Sequence, residues 1–96
     1  MKSLSNRVAI VSAAGRGIGK GIAQNLGEAG ATVIVNSYSP DTTEGTVADI
    51  IKAGGTARAM PGDITKPEII LKVTEETIEE FGKIDIPVNN VGAGSK

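Results

Sequence analysis

The sequence has no cysteine, no histidine and no tryptophan, and its only aromatic residues are Tyr38 and Phe81. The first two absences exclude disulfides, thiol nucleophiles, imidazole acid–base catalysis and the commonest zinc and copper sites. An excess of one charge is missing too. Ten Lys+Arg face eleven Asp+Glu, a net charge of −1, which offers no basic field to nucleic acid or an anionic lipid surface. No apolar run approaches a membrane span, and no secretory hydrophobic segment follows Met1-Lys2. The expectation is a cytoplasmic protein without nucleic-acid or membrane partners. Ninety-six residues, 40 % of them hydrophobic, suit one small domain over residues 1–96.

Glycine is abundant, at thirteen residues. A chain rich in glycine and poor in aromatics must pack backbone closely or wrap backbone around a ligand. Apolar runs and glycine breaks alternate along it. Arg7–Val11 enters a glycine cluster as a strand buried on both faces. Gly17–Ala29 carries Ile18, Ile22 and Leu26 at helical spacing and stops at Gly30. Thr32–Asn36 is a β-branched strand. A helix with Asp41 and Glu44 as a capping box follows, with Val47, Ile50 and Ile51 as its inner stripe and Gly54-Gly55 as its end. Thr56–Met60 is a weaker strand. Thr65 to Glu68 forms a second capping box ahead of Ile70, Val73, Thr77 and Phe81, and Gly82 closes that helix. Ile84–Val88 is a fourth strand, and Asn89 to Gly94 a final loop. Four strands joined by three helices predict right-handed crossovers. The fold class is α/β: a Rossmann-type βαβαβαβ half, a four-stranded parallel sheet in the order 3-2-1-4 with helices on both faces, truncated relative to a full doubly wound sheet.

The segment Ser12-Ala13-Ala14-Gly15-Arg16-Gly17-Ile18-Gly19 joins the first strand to the first helix. A pyrophosphate needs free backbone N–H groups at a helix N-terminus and no side chain in the way. Gly15, Gly17, Gly19 and Gly21 meet that steric demand. The spacing is neither G-x-G-x-x-G nor a Walker loop, because Lys20 is followed by Gly21. A tight turn without a ligand is the alternative.

Three motifs together resemble the short-chain dehydrogenase/reductase family, closest to its 3-oxoacyl-carrier-protein reductase type. The family's T-G-x-x-x-G-x-G is matched by Ser12 to Gly19, its acidic residue after the third strand by Gly62-Asp63-Ile64-Thr65, and its N-N-A-G loop by Asn89-Asn90-Val91-Gly92. The resemblance covers essentially the whole chain. It implies a cofactor half-site in which Ser12, Ala13, Gly15, Gly17, Ile18 and Gly19 form the phosphate loop. Asp63 would accept from the adenine amino group beside Ile64, and Asn90 and Gly92 would sit near the adenosine ribose. Taken alone, Asp63 also fits a helix-flanking turn, and Asn89-Asn90 an ordinary polar turn.

An NAD site places a carboxylate at the end of the second strand. No acidic residue lies between Ala31 and Pro40, and Ser37 holds the aligned position. Arg16 stands where NADP-preferring relatives carry a basic side chain. With Ser37 and Tyr38 as further donors, NADP(H) is expected over NAD(H). The plainer alternatives are a solvated loop charge for Arg16 and a surface aromatic for Tyr38.

The family's chemistry uses a serine and a Tyr-x-x-x-Lys pair. Four residues after Tyr38 stands Thr42, so no catalytic residue is assigned, and no metal ligand either. Glu75, Glu76, Glu79 and Glu80 read as a solvated helix face. Three departures from the family pattern stand out. Ala13 replaces a glycine, Val91 replaces a small alanine, and Pro87 lies within a strand where it cannot donate a ladder hydrogen bond. An edge strand tolerates Pro87, so the fourth strand is expected at an exposed edge and the protein as a homo-oligomer through it. A nucleotide-free interaction module, or a relic that keeps only the scaffold, is the competing reading.

Overall fold

The computed structural model describes residues 3–89. Along the chain run β1 (Val8–Val11), α1 (Gly17–Glu28), β2 (Thr32–Val35), α2 (Pro40–Lys52), β3 (Thr56–Ala59), α3 (Pro67–Phe81) and β4 (Ile86–Val88). The strands form one parallel sheet in the order β3-β2-β1-β4. Strand alternation sorts the core into two layers. Ala9, Val11, Val33 and Val35 point toward α1 and α2, where they meet Ala23, Val47 and Ile50. Val8 and Ile34 point the other way, toward Met60 and Val73 under α3. Each fully buried Val or Ile contributes about 1.5–3 kcal/mol relative to exposure, so these short strands are held by burial more than by their ladders.

Scarce aromatics are offset by close backbone approach. A Cβ on Gly27 of α1 would stand 2.8 Å from Ile50 Cγ2 of α2, so the two helices meet where one has no side chain. Lys20 and Asp49 join them again through a 2.9 Å ion pair.

Several local expectations are corrected. Helix α2 is capped by Ser39, whose hydroxyl accepts from the Asp41 N–H at 3.2 Å, and Pro40 opens the helix where its missing N–H does no harm. Asp41 is therefore already helical. Helix α3 has Lys66 at its cap position and no side-chain cap, because Thr65 is drawn back to Asp63. The inner stripes are narrower than the periodicity suggested. Ile18, Ile51 and Ile70 face solvent, while Gly19, Ala23, Thr43, Thr46 and Ile69 take inward positions. Small side chains suffice there because the helices lie close to the sheet. The paired strand segments exclude Arg7, Asn36, Met60, Ile84 and Asp85.

Asp85 has a different task. Its Oδ2 accepts the Val8 N–H at 2.8 Å, while its own N–H donates to the Val8 carbonyl, also at 2.8 Å. That pair closes the start of β1 against the entry to β4. The Val8 N–H bond, reinforced by Lys83 and Arg7, holds the carboxyl below its ordinary range. Pro87 pairs in register with Ile10, and among the described residues β4 has a sheet neighbour on one side only. The proline thus stands where a missing donor is tolerated.

Candidate functional site

The carboxyl ends of the strands bring three loops together. The first is the glycine loop, pinned by three elements. The Ser12 N–H and Oγ both donate to the Val88 carbonyl, at 3.0 and 3.1 Å, tying the loop to β4. The Ala14 N–H donates to the Asn36 carbonyl at 2.7 Å, tying it to β2. Thr46 Oγ1 of α2 donates to the Ala14 carbonyl at 2.9 Å. Between these anchors Ala13 has φ +53°, in the left-handed region, although it carries a Cβ.

The loop delivers Arg16 as the cap residue of α1 in an extended conformation, with no side-chain cap on the helix. The first-turn N–H groups therefore keep their capacity for an external acceptor, with the positive end of the helix dipole behind them. Gly17 has φ +64° and open space where a Cβ would be. Ile18 is 72 % exposed beside it. Gly19, one position further into α1, is buried. Arg16 is exposed and forms no ion pair among the described residues.

Gly15 is required for another reason. A Cβ there would stand 2.5 Å from Thr42 Oγ1 and 2.8 Å from Ser37 Oγ. The loop lies directly on the β2–α2 junction, the second component. Ser37 is buried, with its hydroxyl 2.9 Å from Thr42 Oγ1, 2.5 Å from Thr43 Oγ1 and 3.3 Å from the Ser39 carbonyl. It faces inward, toward the first turn of α2. Tyr38 points the opposite way and is 78 % exposed. Reading the sequence alone overlooks Thr42 and Thr43. Their signal is two adjacent threonines in the first turn of α2, with no apolar role to fill.

The third component is the β3–α3 turn. Asp63 Oδ1 accepts the Thr65 N–H at 3.0 Å and the Thr65 hydroxyl at 2.6 Å. These bonds, with the Lys66 charge nearby, hold the carboxyl below its ordinary range and keep it anionic at neutral pH. Both go to Oδ1, which leaves Oδ2 as an acceptor at the rim. Ile64 packs with the α3-side core. Asn90 and Gly92 lie outside the described residues.

A cavity of about 450 Å³ runs between α3 and the β1–β4 pair, with Ile10, Val73, Pro87 and Val88 in its walls and Ser12 of the glycine loop and Ile64 of the Asp63 turn among its lining. Among the described residues there is no group of acidic residues that could hold a metal ion, and no helix is long and apolar enough to cross a membrane.

This arrangement fits a nucleotide diphosphate. The cradle is bare backbone at Gly15 and Gly17, the helix behind it is uncapped, and an anionic acceptor and an exposed arginine and tyrosine flank it. One feature runs against the fit, the Cβ of Ala13.

Comparison with known proteins agrees with the geometry. Residues 7–96 match the model of the short chain dehydrogenase family. The hydroxynaphthalene reductase-like protein Arp2 of Metarhizium acridum is 46 % identical over 92 residues, 95 % of this chain and 34 % of the relative. Versicolorin reductase 1 of Aspergillus parasiticus is 46 % identical over 91 residues, 93 % of this chain and again 34 % of the relative. Among solved structures, a hydroxysteroid dehydrogenase from Escherichia coli superposes with a TM-score of 0.91 at 39 % identity, over 96 % of this chain and 39 % of that one. A metagenomic short-chain oxidoreductase in complex with NADP superposes with a TM-score of 0.85 at 32 % identity, over 88 % of this chain and 38 % of that one. The chain spans about a third of the length of the curated relatives it matches.

Proposed function

The chain belongs to the short-chain dehydrogenase family, and on that premise we propose that it forms the NADP(H)-binding portion of an oxidoreductase acting on a carbonyl or alcohol carbon. The observation that carries this reading is the uncapped start of α1, presented by a glycine loop that rests on the β2–α2 junction. In this reading the N–H groups of Gly17, Ile18 and Gly19 face the pyrophosphate, with Ser12, Ala13 and Gly15 shaping the loop behind them. Asp63 accepts from the adenine amino group beside Ile64. Asn90 and Gly92, outside the described residues, are assigned to the adenosine ribose through the family resemblance alone.

The nicotinamide supplies the hydride when bound. The residues of this chain bind and orient the cofactor, and none of them donates the proton. NADP(H) is preferred over NAD(H) because no carboxylate occupies the end of β2 to repel a 2′-phosphate, and Arg16 and Tyr38 are exposed beside that position. Ser37 contributes from beneath, holding Thr42 and Thr43 in place. The relatives named for a hydroxynaphthalene and for versicolorin support an aromatic substrate for the whole enzyme over a 3-oxoacyl thioester.

Calorimetric titration with NADPH, NADH, 2′,5′-ADP and 5′-AMP tests the proposal. Binding of NADPH and 2′,5′-ADP in clear preference to NADH and 5′-AMP is expected, and Arg16→Ala should erase that preference. No heat from a chain that circular dichroism shows to be folded would refute it and leave an interaction module on the same scaffold.

A further inference from the structure

Asn36 is 1 % exposed at the end of β2, where the neighbouring inward positions are apolar. A buried amide at such a place requires a reason beyond packing. Its Nδ2 donates to the Met60 carbonyl at 2.9 Å and to the Gly62 carbonyl at 3.2 Å. Its main-chain carbonyl accepts the Ala14 N–H at 2.7 Å, and its N–H donates to the Val11 carbonyl at 3.0 Å. One residue therefore touches both the glycine loop and the turn that carries Asp63. Met60 and Gly62 complete the junction by donating to the carbonyls of Val35 and Ser37, each at 2.9 Å.

Asn36 Oδ1 is the remaining observation. It is buried and has no hydrogen-bond partner among the described residues. The amide cannot be turned over to relieve it, because the two carbonyls facing Nδ2 need a donor. The fold thus tolerates an orphaned acceptor in order to keep two donated bonds. Those bonds do not extend a strand or cap a helix. They hold the Met60–Gly62 turn at a set distance from the phosphate loop.

We propose that Asn36 is a positioning residue of the adenosine half-site: its side-chain amide locks the Asp63 turn to the glycine loop, so that the adenine acceptor and the phosphate cradle keep one spacing. The proposal rests on the nucleotide-binding reading, yet it makes a claim about the free protein that stands apart from binding.

The test uses Asn36→Val and Asn36→Ala in the full chain. Valine keeps a branched side chain of similar size, suits a strand and removes the orphaned acceptor, so the fold is retained while the donors are lost. In both variants the dissociation constant for 2′,5′-ADP should rise about tenfold or more, because ligand and turn no longer start in register. In the free variants, amide exchange at Gly62 should accelerate by about the same factor, while the ladder amides of Ile10 and Val33 keep their protection. A residue that only filled the core would leave the affinity of folded Asn36→Val at the wild-type value. Unchanged affinity, or unchanged exchange at Gly62, overturns the proposal. Failure of the wild-type chain to bind any nucleotide would refute the functional reading instead, and Gly62 exchange would then decide the role of Asn36 alone.

Discussion

Ala13 offers a test whose sign is unusual for a core-adjacent substitution. Its φ of +53° lies in the left-handed region, where an L side chain crowds the following carbonyl at about 1–2 kcal/mol. Ala13→Gly removes that strain. Against the gain stands the greater freedom of glycine in the unfolded chain, about 0.4–1 kcal/mol, and a few tenths for a methyl that is only half buried. The net expectation is a stabilisation of about 0.5–1 kcal/mol, or about 2–8 °C in a chain of this size. Ala14→Gly is the control one residue away. Ala14 is fully buried and is not among the positive-φ residues. Losing its methyl and gaining backbone freedom should destabilise by about 1–2 kcal/mol. Urea denaturation followed by circular dichroism reads both variants, with an unchanged slope confirming that native stability has moved. Opposite signs at adjacent alanines are expected. Destabilisation of similar size in both would refute the left-handed assignment of Ala13 and the strain argument with it. Tighter binding of 2′,5′-ADP by Ala13→Gly should accompany the gain, because Ala13 belongs to the glycine loop and relief of its strain steadies that loop.

Gly15→Ala should destabilise by about 1–3 kcal/mol, since the new Cβ meets Thr42 and Ser37 hydroxyls already locked to each other. Thermal unfolding reads it, and Thr42→Ser in the same chain should recover only part of the loss, because the Oγ remains. The Asp85 carboxyl titrates below its ordinary value of 3.8 in the folded chain, so its contribution is fully present above that value and is lost as pH falls through the folded one. Asp85→Asn should lower the unfolding midpoint at neutral pH, and the gap from wild type should close as pH drops below 3.8. A gap independent of pH would show that the carboxylate charge plays no part. Among the described residues β4 pairs on one side only, and we also propose that its other side and the apolar cavity beside it drive self-association. Sedimentation should show species larger than the monomer, and a strictly monomeric boundary at high protein concentration would refute this.

Much of the architecture was legible in the chain because it depends on period and punctuation. Short apolar runs alternating with helical spacing and glycine stops specify four parallel strands with right-handed crossovers, and the doubly wound Rossmann arrangement that this pattern matches supplied the order β3-β2-β1-β4. The glycine loop was legible for a similar reason, because the steric demand for bare backbone ahead of a helix is local, whereas Asp63 stood out only through the family resemblance and by itself fits a helix-flanking turn. Pro87 was informative because its missing N–H needs a side without a ladder partner, and among the described residues β4 pairs with β1 alone.

Other features depend on atoms distant in sequence. Two helix starts turn on local competition instead: Asp63 draws Thr65 away from capping α3, and Ser39 displaces Asp41 as the cap of α2, each through a bond between residues two apart. The burial of the Ser37 hydroxyl against Thr42 and Thr43 follows from the way α2 docks over Gly15, which no window of sequence contains. Asn36 is the clearest case. Read alone it is a polar residue ending a strand, and only the arrival of Met60 and Gly62, 24 and 26 residues on, turns its amide into a brace. The sequence by itself determined which segments become strands and helices and where backbone must be bare, since sterics and periodicity act within a few residues. Tertiary structure decided which hydroxyls and amides face the site, because a hydrogen bond goes to whichever partner packing brings within about 3 Å.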